Sequence, residues 1–398
     1  MDHRKVMTCV WLFGCALVVL IASCAPSPSL NSPAPTPMVI TPAPPTATPT
    51  PLPTNTQPPA PTNTSTPVSL IRPDAEIAAG TQDYLERMVA LGLFSGVVLI
   101  GHDGDITFEQ AYGMADRGSD VPNTPQIRFG LGSVTKQFTA MAILILQAQG
   151  KLDVQDPICT YLSNCPTAWG PVAIHDLLTH TSGIPGSFDA PAAGPDEIIA
   201  LSQDMPLDFE PGSRQEYKDQ NYSLMGQIIE HASGEPYAQF MHESVFEPLG
   251  MRDTGFECAD ASMAVPFNLL HQAKFADLPT AYAAGGICST VEDLYRWDQA
   301  LYTERLVPQA LLEMMFTAYV AIPPPSSAYE PWGYGYGWAV GMLGSHRVTE
   351  HPGVTRGYVS LIARYPDDNV TTIVLSNQAD ISIDPIEMQL ARLVFTDL

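Results

Sequence analysis

One long segment without a charged residue confines folding to the part of the chain that follows it. Between Ala25 and Ile71 the sequence contains no Asp, Glu, Lys or Arg and consists mainly of proline and threonine. Such a segment buries too little apolar surface to offset the entropy lost on ordering, and its prolines favour extended polyproline geometry. We therefore predict a disordered linker over residues 24–73 and one folded domain over residues 74–398.

The first residues have the layout of a secretory signal. Two basic residues precede an apolar run from Val6 to Ala22, which ends in Ile21-Ala22-Ser23-Cys24. A basic start and a hydrophobic middle are typical of a signal peptide, and the last four residues resemble the bacterial lipobox, whose cysteine is lipidated. We predict a signal peptide over residues 1–23 and a lipid anchor on Cys24. The alternative is an uncleaved membrane anchor, because the run approaches the ~18 residues that a spanning helix needs.

The charge balance excludes one class of partner. Acidic residues outnumber basic ones by 42 to 18, which gives a formal net charge of -24. A chain this acidic repels phosphate backbones and anionic lipid head groups, so we expect no nucleic-acid partner. The membrane contact that we expect is the lipid anchor. The simplest reading of the acidity is a soluble, self-repelling surface.

Four of the seven cysteines fall in the predicted domain, and an exported protein meets an oxidising compartment. Cys159 and Cys165 are six residues apart in a stretch rich in turn residues, so we expect a disulfide there. The pairing of Cys258 and Cys288 is left open. The sequence has no Cys-x-x-Cys pair and no compact histidine cluster, so neither a metal nor a cofactor is expected.

Strand and helix patterns predict an α+β fold of the α/β sandwich type. The predicted helices and strands near the two ends are a helix in Ala75–Leu93, a hairpin of Gly96–Ile100 with Ile106–Gln110, a strand pair of Tyr358–Tyr365 with Thr371–Ser376, and a closing helix in Pro385–Phe395. The middle of the chain is mostly helical. This order predicts an antiparallel sheet that is built from the N- and C-terminal parts, is flanked by helices and holds an inserted helical region.

A candidate nucleophile stands at the start of a buried helix. Ser133-Val134-Thr135-Lys136 opens an apolar stretch from Phe138 to Leu146. Three residues are nearly one helical turn, so the Ser133 hydroxyl and the Lys136 amine can touch. Burial would lower the pKa of Lys136 and leave a neutral amine that can act as a base, while the helix N-terminus favours negative charge on the serine oxygen. The alternative is that Ser133 caps the helix and Lys136 reaches the surface.

Two later segments join Ser133-Val134-Thr135-Lys136 in a recognisable order: Tyr217-Lys218-Asp219 and Glu350-His351-Pro352-Gly353-Val354. Together they resemble the three motifs of the serine β-lactamase and penicillin-binding-protein superfamily. The resemblance points to the branch with class C β-lactamases, D-alanyl-D-alanine carboxypeptidases, D-aminopeptidases and β-lactamase-like esterases. Further segments that look like family landmarks are His180-Thr181-Ser182-Gly183, Gly285-Gly286-Ile287-Cys288-Ser289-Thr290 and Tyr334-Gly335-Tyr336-Gly337-Trp338.

The resemblance implies acyl transfer. Ser133 would attack an ester, amide or lactam carbonyl and hold the acyl group until water removes it. Lys136 would be the base or a proton shuttle, and Tyr217 would lie against the serine hydroxyl; which of the two takes the first proton is left open. Gly353 would let the strand approach the substrate, and the N–H groups of Val354 and Ser133 would form the oxyanion hole.

The chain departs from the family pattern at two site residues. Asp219 stands where many relatives carry asparagine, which loses an amide donor and adds a charge beside Lys136. His351 stands where β-lactamases and peptidases usually carry lysine, although it could be simply a hydrogen-bonded strand residue. A histidine is mostly neutral at pH 7, so a substrate carboxylate would lose an anchor unless another cation, such as Arg356, replaces it.

These departures favour an exported esterase or peptidase over a true β-lactamase. Its partner would be a small-molecule or cell-wall peptide substrate. If His351 faces the substrate, a fall in pH from 7.5 to 6 would improve the binding of anionic substrates. No Gly-x-Ser-x-Gly segment occurs in the chain, which sets an α/β-hydrolase aside. The remaining alternative is a catalytically weak surface lipoprotein of the same fold that binds cell-wall peptides.

Overall fold

The computed structural model describes residues 70–186, 194–268, 282–355 and 357–398. The predicted signal peptide, Cys24, the predicted linker up to residue 69 and Arg356 lie outside the described residues. Across the described part of the chain, no helix is both long enough and apolar enough to cross a membrane.

The strands are β1 (Gly96–His102), β2 (Asp105–Tyr112), β3 (Met114–Asp116), β4 (Val121–Pro122), β5 (Phe129–Gly130), β6 (Cys288–Ser289), β7 (Val320–Ala321), β8 (Tyr329–Tyr334), β9 (Ala339–Leu343), β10 (His346–Thr355), β11 (Tyr358–Tyr365) and β12 (Val370–Ser376). The α-helices are α1 (Asp74–Ala90), α2 (Thr135–Ala148), α3 (Ile174–Leu178), α4 (Pro195–Leu201), α5 (Asp219–Ser233), α6 (Tyr237–Met241), α7 (Glu247–Leu249), α8 (Tyr282–Gly285), α9 (Val291–Ala300), α10 (Gln309–Met315) and α11 (Asp384–Val394).

The two ends of the described chain build one eight-stranded sheet in the order β2-β1-β12-β11-β10-β9-β8-β7. All neighbouring strands in it are antiparallel. β1 pairs with β12 over its whole length, from Gly96 opposite Ser376 to His102 opposite Val370. Strands β11 and β12 lie in the middle and are buried on both faces, which explains their nearly continuous apolar sequences. The predicted α+β fold, with a sheet from both termini, is confirmed.

Helices cover both faces of the sheet. On one face, α1 and α11 pack through residues such as Leu85 and Leu390 against Val98 and Leu361 of the sheet. On the other face, α2 and the helices of the middle region share a core with the sheet. α2 is enclosed on all sides, since every residue from Thr135 to Leu146 is buried. This burial is why the sequence of α2 is apolar nearly all round, and it fixes α2 at the centre of the domain.

Two disulfides lie among the described residues. Cys159 is bonded to Cys165, which confirms the predicted short-loop disulfide. Cys258 is bonded to Cys288, a pairing that the sequence left open. Cys288 belongs to β6, which pairs with β5 immediately before the start of α2. The second disulfide therefore braces the strand that leads to Ser133.

Candidate active site

Ser133 lies in a single 3-10 turn, Gly132–Val134, that runs directly into α2. The residue at the N-cap of α2 is Val134, and no side chain caps the helix. Ser133 is therefore not the helix cap that one alternative required. Lys136 has no exposed surface, so the alternative of a surface lysine is also wrong.

The turn that carries Ser133 is fitted closely against β10 and β11. Gly132 has a φ of 52°, and a Cβ on it would lie 2.8 Å from the backbone oxygen of Val354. The backbone oxygen of Leu131 accepts a hydrogen bond from Ser360 Oγ at 2.6 Å. Both contacts need a bare backbone or a small side chain. They bring the backbone of Val354 beside the turn that carries Ser133, where the family resemblance puts the oxyanion hole.

Lys136 is held by three acceptors. Its Nζ lies 3.0 Å from Ser133 Oγ, 2.7 Å from Asp219 Oδ1 and 2.9 Å from the backbone oxygen of Ala284. An ammonium group has three N–H donors, and each has an acceptor here. Burial lowers the pKa of Lys136, but Tyr217 and Asp219 outweigh burial and raise that pKa above its ordinary value. The expectation of a neutral amine is wrong, because the neighbours of Lys136 stabilise its charge.

Tyr217 lies on the irregular segment that leads into α5, with its hydroxyl oxygen buried. This hydroxyl interacts with Ser133 and with Lys136, whose Nζ lies 4.9 Å from the centre of the Tyr217 ring. Burial raises the pKa of Tyr217, and the charge of Lys136 opposes this rise without cancelling it. The structure thus brings together Ser133, Lys136 and Tyr217.

The segment that carries Tyr217 rests on His180-Thr181-Ser182-Gly183. The backbone N–H of Lys218 donates to His180 Nδ1 at 3.2 Å, and Asn221 Nδ2 lies 3.3 Å from the same atom. Because Nδ1 accepts, the proton of the neutral ring is on Nε2. The imidazole lies against the Tyr217 ring, with centroids 4.2 Å apart. Burial lowers the pKa of His180 well below its ordinary value, so it is a neutral support. No role was predicted for this segment from the sequence.

His351 is buried and both of its ring nitrogens are engaged. Nδ1 lies 2.6 Å from the backbone oxygen of Pro352 and Nε2 lies 2.9 Å from the Tyr334 hydroxyl. A carbonyl oxygen only accepts, so Nδ1 carries the proton and Nε2 accepts from Tyr334. Burial, followed by the charge of Lys136, lowers the pKa of His351 to about 3. The expected charging of His351 at pH 6 is therefore wrong. The interpretation of His351 as a hydrogen-bonded strand residue fits these contacts.

Ser133, Tyr217, Asp219 and His351 line one cavity of about 660 Å³. The rest of its wall is mainly apolar and is formed by Ile322, Pro323, Pro325, Trp332, Ala339, Pro352 and Val354, with Gln215, Tyr334 and Glu350. No lysine or arginine is among these described lining residues. The described residues contain no group of three or more His, Cys, Asp or Glu side chains that could hold a metal ion.

The cavity borders the end of β10, where this strand still pairs with β11 but no longer with β9. β10 pairs with β9 from His346 to Glu350, and with β11 as far as Thr355. Gly353 lies in the part beyond β9, and a Cβ on it would be 2.0 Å from the backbone oxygen of Leu131. Glycine is therefore required for the strand to reach the turn of Ser133. The side chain of Val354 is exposed and lines the cavity.

Two more landmark segments have structural roles at the site. A Cβ on Gly286 would lie 2.7 Å from the backbone oxygen of Tyr282, so this glycine closes the end of α8, whose Ala284 binds Lys136. A Cβ on Gly337 would lie 2.8 Å from the backbone oxygen of Lys136, so the turn between β8 and β9 packs directly on α2. Gly286 and Gly337 therefore allow close backbone contacts and contribute no polar side chain to the site.

Fold and site define a penicillin-binding-protein-like hydrolase architecture, and the sequence comparisons agree with it. The family model described as Beta-lactamase matches residues 41–393, and the chain belongs to this family. Penicillin-binding protein PbpX of Bacillus subtilis is 36% identical over 263 residues, which are 64% of this chain and 65% of that protein. Esterase EstB of Burkholderia gladioli is 33% identical over 200 residues, 44% of this chain and 50% of that protein.

Solved structures support the same assignment. The octameric penicillin-binding protein homologue of Pyrococcus abyssi is 28% identical, with a TM-score of 0.70 over 79% of this chain and 76% of that one. Other relatives bear the names D-alanyl-D-alanine-carboxypeptidase/endopeptidase and D-aminopeptidase. The relatives are serine-type hydrolases, which supports a hydrolase role for this chain.

Proposed function

We propose that this chain is an exported serine hydrolase that cleaves ester or amide bonds through an acyl-enzyme on Ser133. One observation carries the proposal: Ser133 Oγ lies 3.0 Å from the enclosed Lys136 amine, at the wall of a cavity large enough for a small substrate. The Tyr217 hydroxyl interacts with both groups. A hydroxyl, an activating neighbour and a cleft are the parts that acyl transfer needs.

In this proposal Lys136 acts through its positive charge. Its ammonium group donates to Ser133 Oγ and stabilises negative charge on that oxygen and on the Tyr217 oxygen during attack. The base is the phenolate of Tyr217: the phenol first gives its proton to water, the phenolate then accepts the Ser133 proton, and the phenol passes that proton to the leaving group. The N–H groups of Ser133 and Val354 hold the oxygen of the tetrahedral intermediate. Water then attacks the acyl-enzyme along the same proton path.

The same wall favours neutral ester or amide substrates over penicillins and cephalosporins. The described lining residues offer no lysine or arginine to a substrate carboxylate, and neutral His351 has both nitrogens engaged. A charge-assisted hydrogen bond is worth about 1.5 to 3 kcal/mol, so its absence costs roughly 10- to 150-fold in kcat/KM. Short-chain aryl esters should be hydrolysed and nitrocefin turned over weakly.

Covalent labelling tests the proposal. A fluorophosphonate should label the full-length chain on Ser133, and the variant S133A should neither be labelled nor hydrolyse p-nitrophenyl acetate above a residual ~10³-fold below the wild type. Ser182 is the matched control, because its hydroxyl donates to Asn221 Oδ1 at 2.8 Å and no lysine stands three residues after it in the chain. Equal losses in S133A and S182A would refute a Ser133 acyl-enzyme. No labelling and no ester hydrolysis by the wild type would favour a binding protein of this fold.

A further inference from the structure

Among the described residues that line the cavity, the charged group open to a substrate is the carboxylate of Asp219. Its side chain is 52% exposed, whereas that of Lys136, its ion-pair partner, is 0% exposed. Asp219 Oδ1 contacts Lys136, and no hydrogen bond from the described residues engages Oδ2. Lys136 therefore holds Oδ1 of the carboxylate from the buried side, and Oδ2 remains available to a ligand. A ligand in the cavity meets the negative member of the pair.

The other titratable groups of the lining do not counter this charge. Burial and the neighbouring Glu387 raise the pKa of Glu350 well above its ordinary value, so Glu350 is an uncharged acid. Burial and the charge of Lys136 lower the pKa of His351 to about 3, so His351 is an uncharged base. Among the described lining residues, Asp219 is therefore the one that offers a charged group to a substrate.

The short distance between Asp219 and Ser133 determines which part of a substrate would contact Asp219. One amine, that of Lys136, bridges Asp219 Oδ1 and Ser133 Oγ, so the carboxylate lies within a few atoms of the reacting carbonyl. In an amino-acid ester or amide the α-nitrogen is two bonds from the carbonyl carbon, or about 2.5 Å. An α-ammonium group can therefore reach Asp219 Oδ2 while the carbonyl is at Ser133.

We propose that Asp219 selects substrates with a free, protonated amino group beside the scissile carbonyl, such as amino-acid esters and amides and peptides cleaved at their N-terminal residue. This inference rests on the proposed Ser133 acyl-enzyme and adds the substrate class to it. An N-acylated substrate lacks the charge, and a substrate with a carboxylate at this position is repelled. Lys136 has no exposed surface and its amine is engaged by three acceptors, so a bound substrate can contact the Asp219 carboxylate but not the ammonium group.

Paired substrates test the proposal on the full-length chain at pH 6.5, where an α-amino group is mostly protonated. For D- and L-alanine p-nitroanilide and their N-acetyl counterparts, the free-amino member of the cleaved enantiomer should have a kcat/KM about 10- to 150-fold higher. In D219N, which is nearly isosteric, this ratio should fall by about tenfold or more. E216Q is the charge control: Glu216 does not line the cavity and pairs with Arg214 and Lys218, so its ratio should match the wild type.

The outcomes separate this inference from the function on which it rests. Equal rates for the paired anilides, an N-acetyl preference, cleavage of neither while p-nitrophenyl acetate is turned over, or an unchanged ratio in D219N would overturn the role of Asp219. Loss of the free-amino preference in both D219N and E216Q would also overturn it, because removal of any negative charge near the site would then explain the loss. Absence of p-nitrophenyl acetate turnover and of Ser133 labelling would instead refute the proposed hydrolase.

Discussion

The charge states around Ser133 are set by contacts and not by residue type. Lys136 stays charged because Tyr217 and Asp219 lie beside it. His351 stays neutral because it is buried near that same positive charge, and the backbone carbonyl that favours its proton does not compensate. The buried amine thus acts as a fixed cation, and the buried imidazole acts as a neutral hydrogen-bonding group.

The preference between anionic and neutral substrates should not change between pH 7.5 and pH 6. The pKa of His351 is lowered to about 3, so the ring gains no charge in this interval. The measurement is the kcat/KM ratio of N-succinyl-alanine to N-acetyl-alanine p-nitroanilide at the two pH values, which should agree within about twofold. The variant H351A should be equally insensitive. A gain of several fold for the succinyl substrate at pH 6 that H351A abolishes would show that His351 charges in the site.

His180 is predicted to be a positioning residue for Tyr217. Replacing it with leucine removes the acceptor for the Lys218 N–H, removes the ring against Tyr217 and puts a branched side chain at a φ of 59°. Displacement of Tyr217 should lower kcat for p-nitrophenyl acetate by about 10²-fold with little change in KM. Asparagine tolerates this φ and keeps an acceptor, so H180N should recover a large part of kcat. Equal kcat in both variants at equal thermal stability would contradict the positioning role.

At the level of elements, the site depends on how closely β10 approaches the turn before α2. The variant G353A would put a Cβ 2.0 Å from the backbone oxygen of Leu131. The strand must move away from Ser133, so we expect a loss of about 1–3 kcal/mol in the free energy of unfolding and about 10²-fold in kcat. G255A is the control, because nothing lies within 4 Å of a Cβ there. Similar values for both variants would contradict the close fit of β10.

His346 joins the start of β10 to two other segments. Its Nδ1 lies 2.8 Å from Asp368 Oδ2, in the turn after β11, and its Nε2 lies 2.9 Å from Asp397 Oδ1 near the end of the chain. Burial lowers the pKa of His346, but the bonds to the two carboxylates raise that pKa above its ordinary value. Both ring nitrogens then carry protons.

A raised pKa in the folded state gives a stabilisation with a defined pH dependence. It is fully present below the unfolded pKa of about 6.5 and is lost as the pH rises through the higher folded value. The difference in free energy of unfolding between the wild type and H346Q should therefore shrink as the pH rises from 6 to 9. Chemical denaturation at several pH values measures it, with H242Q, at an exposed helical position, as the control for loss of a histidine. A difference that grows with pH would contradict the ion pairs.

At the scale of the whole molecule, local sequence patterns predicted the fold, whereas several features of the site depend on contacts between distant segments that these patterns do not show. The strand Tyr358–Tyr365 and the terminal helices follow from periodicity, which involves neighbouring residues. The charge of Lys136 depends on Asp219 and on the backbone of Ala284, which is 148 residues away. The Cys258–Cys288 bond and the support of Tyr217 by His180 likewise join distant segments. Spacing along the chain does not reveal such contacts, so the site residues could be predicted from the sequence but their protonation states could not.

The predicted lipid anchor concerns the whole molecule and is tested in a bacterial host. If Cys24 is lipidated, the full-length chain should be in the membrane fraction, and the mass of its N-terminal peptide should show cleavage before Cys24 with acyl groups attached. The variant C24S should release ester hydrolase activity from the membrane fraction. C15S is the matched control, because Cys15 lies within the apolar run, and its distribution should equal that of the wild type. If C24S stays in the membrane fraction with residues 1–23 still attached, the apolar run is an uncleaved anchor and the lipobox interpretation is wrong.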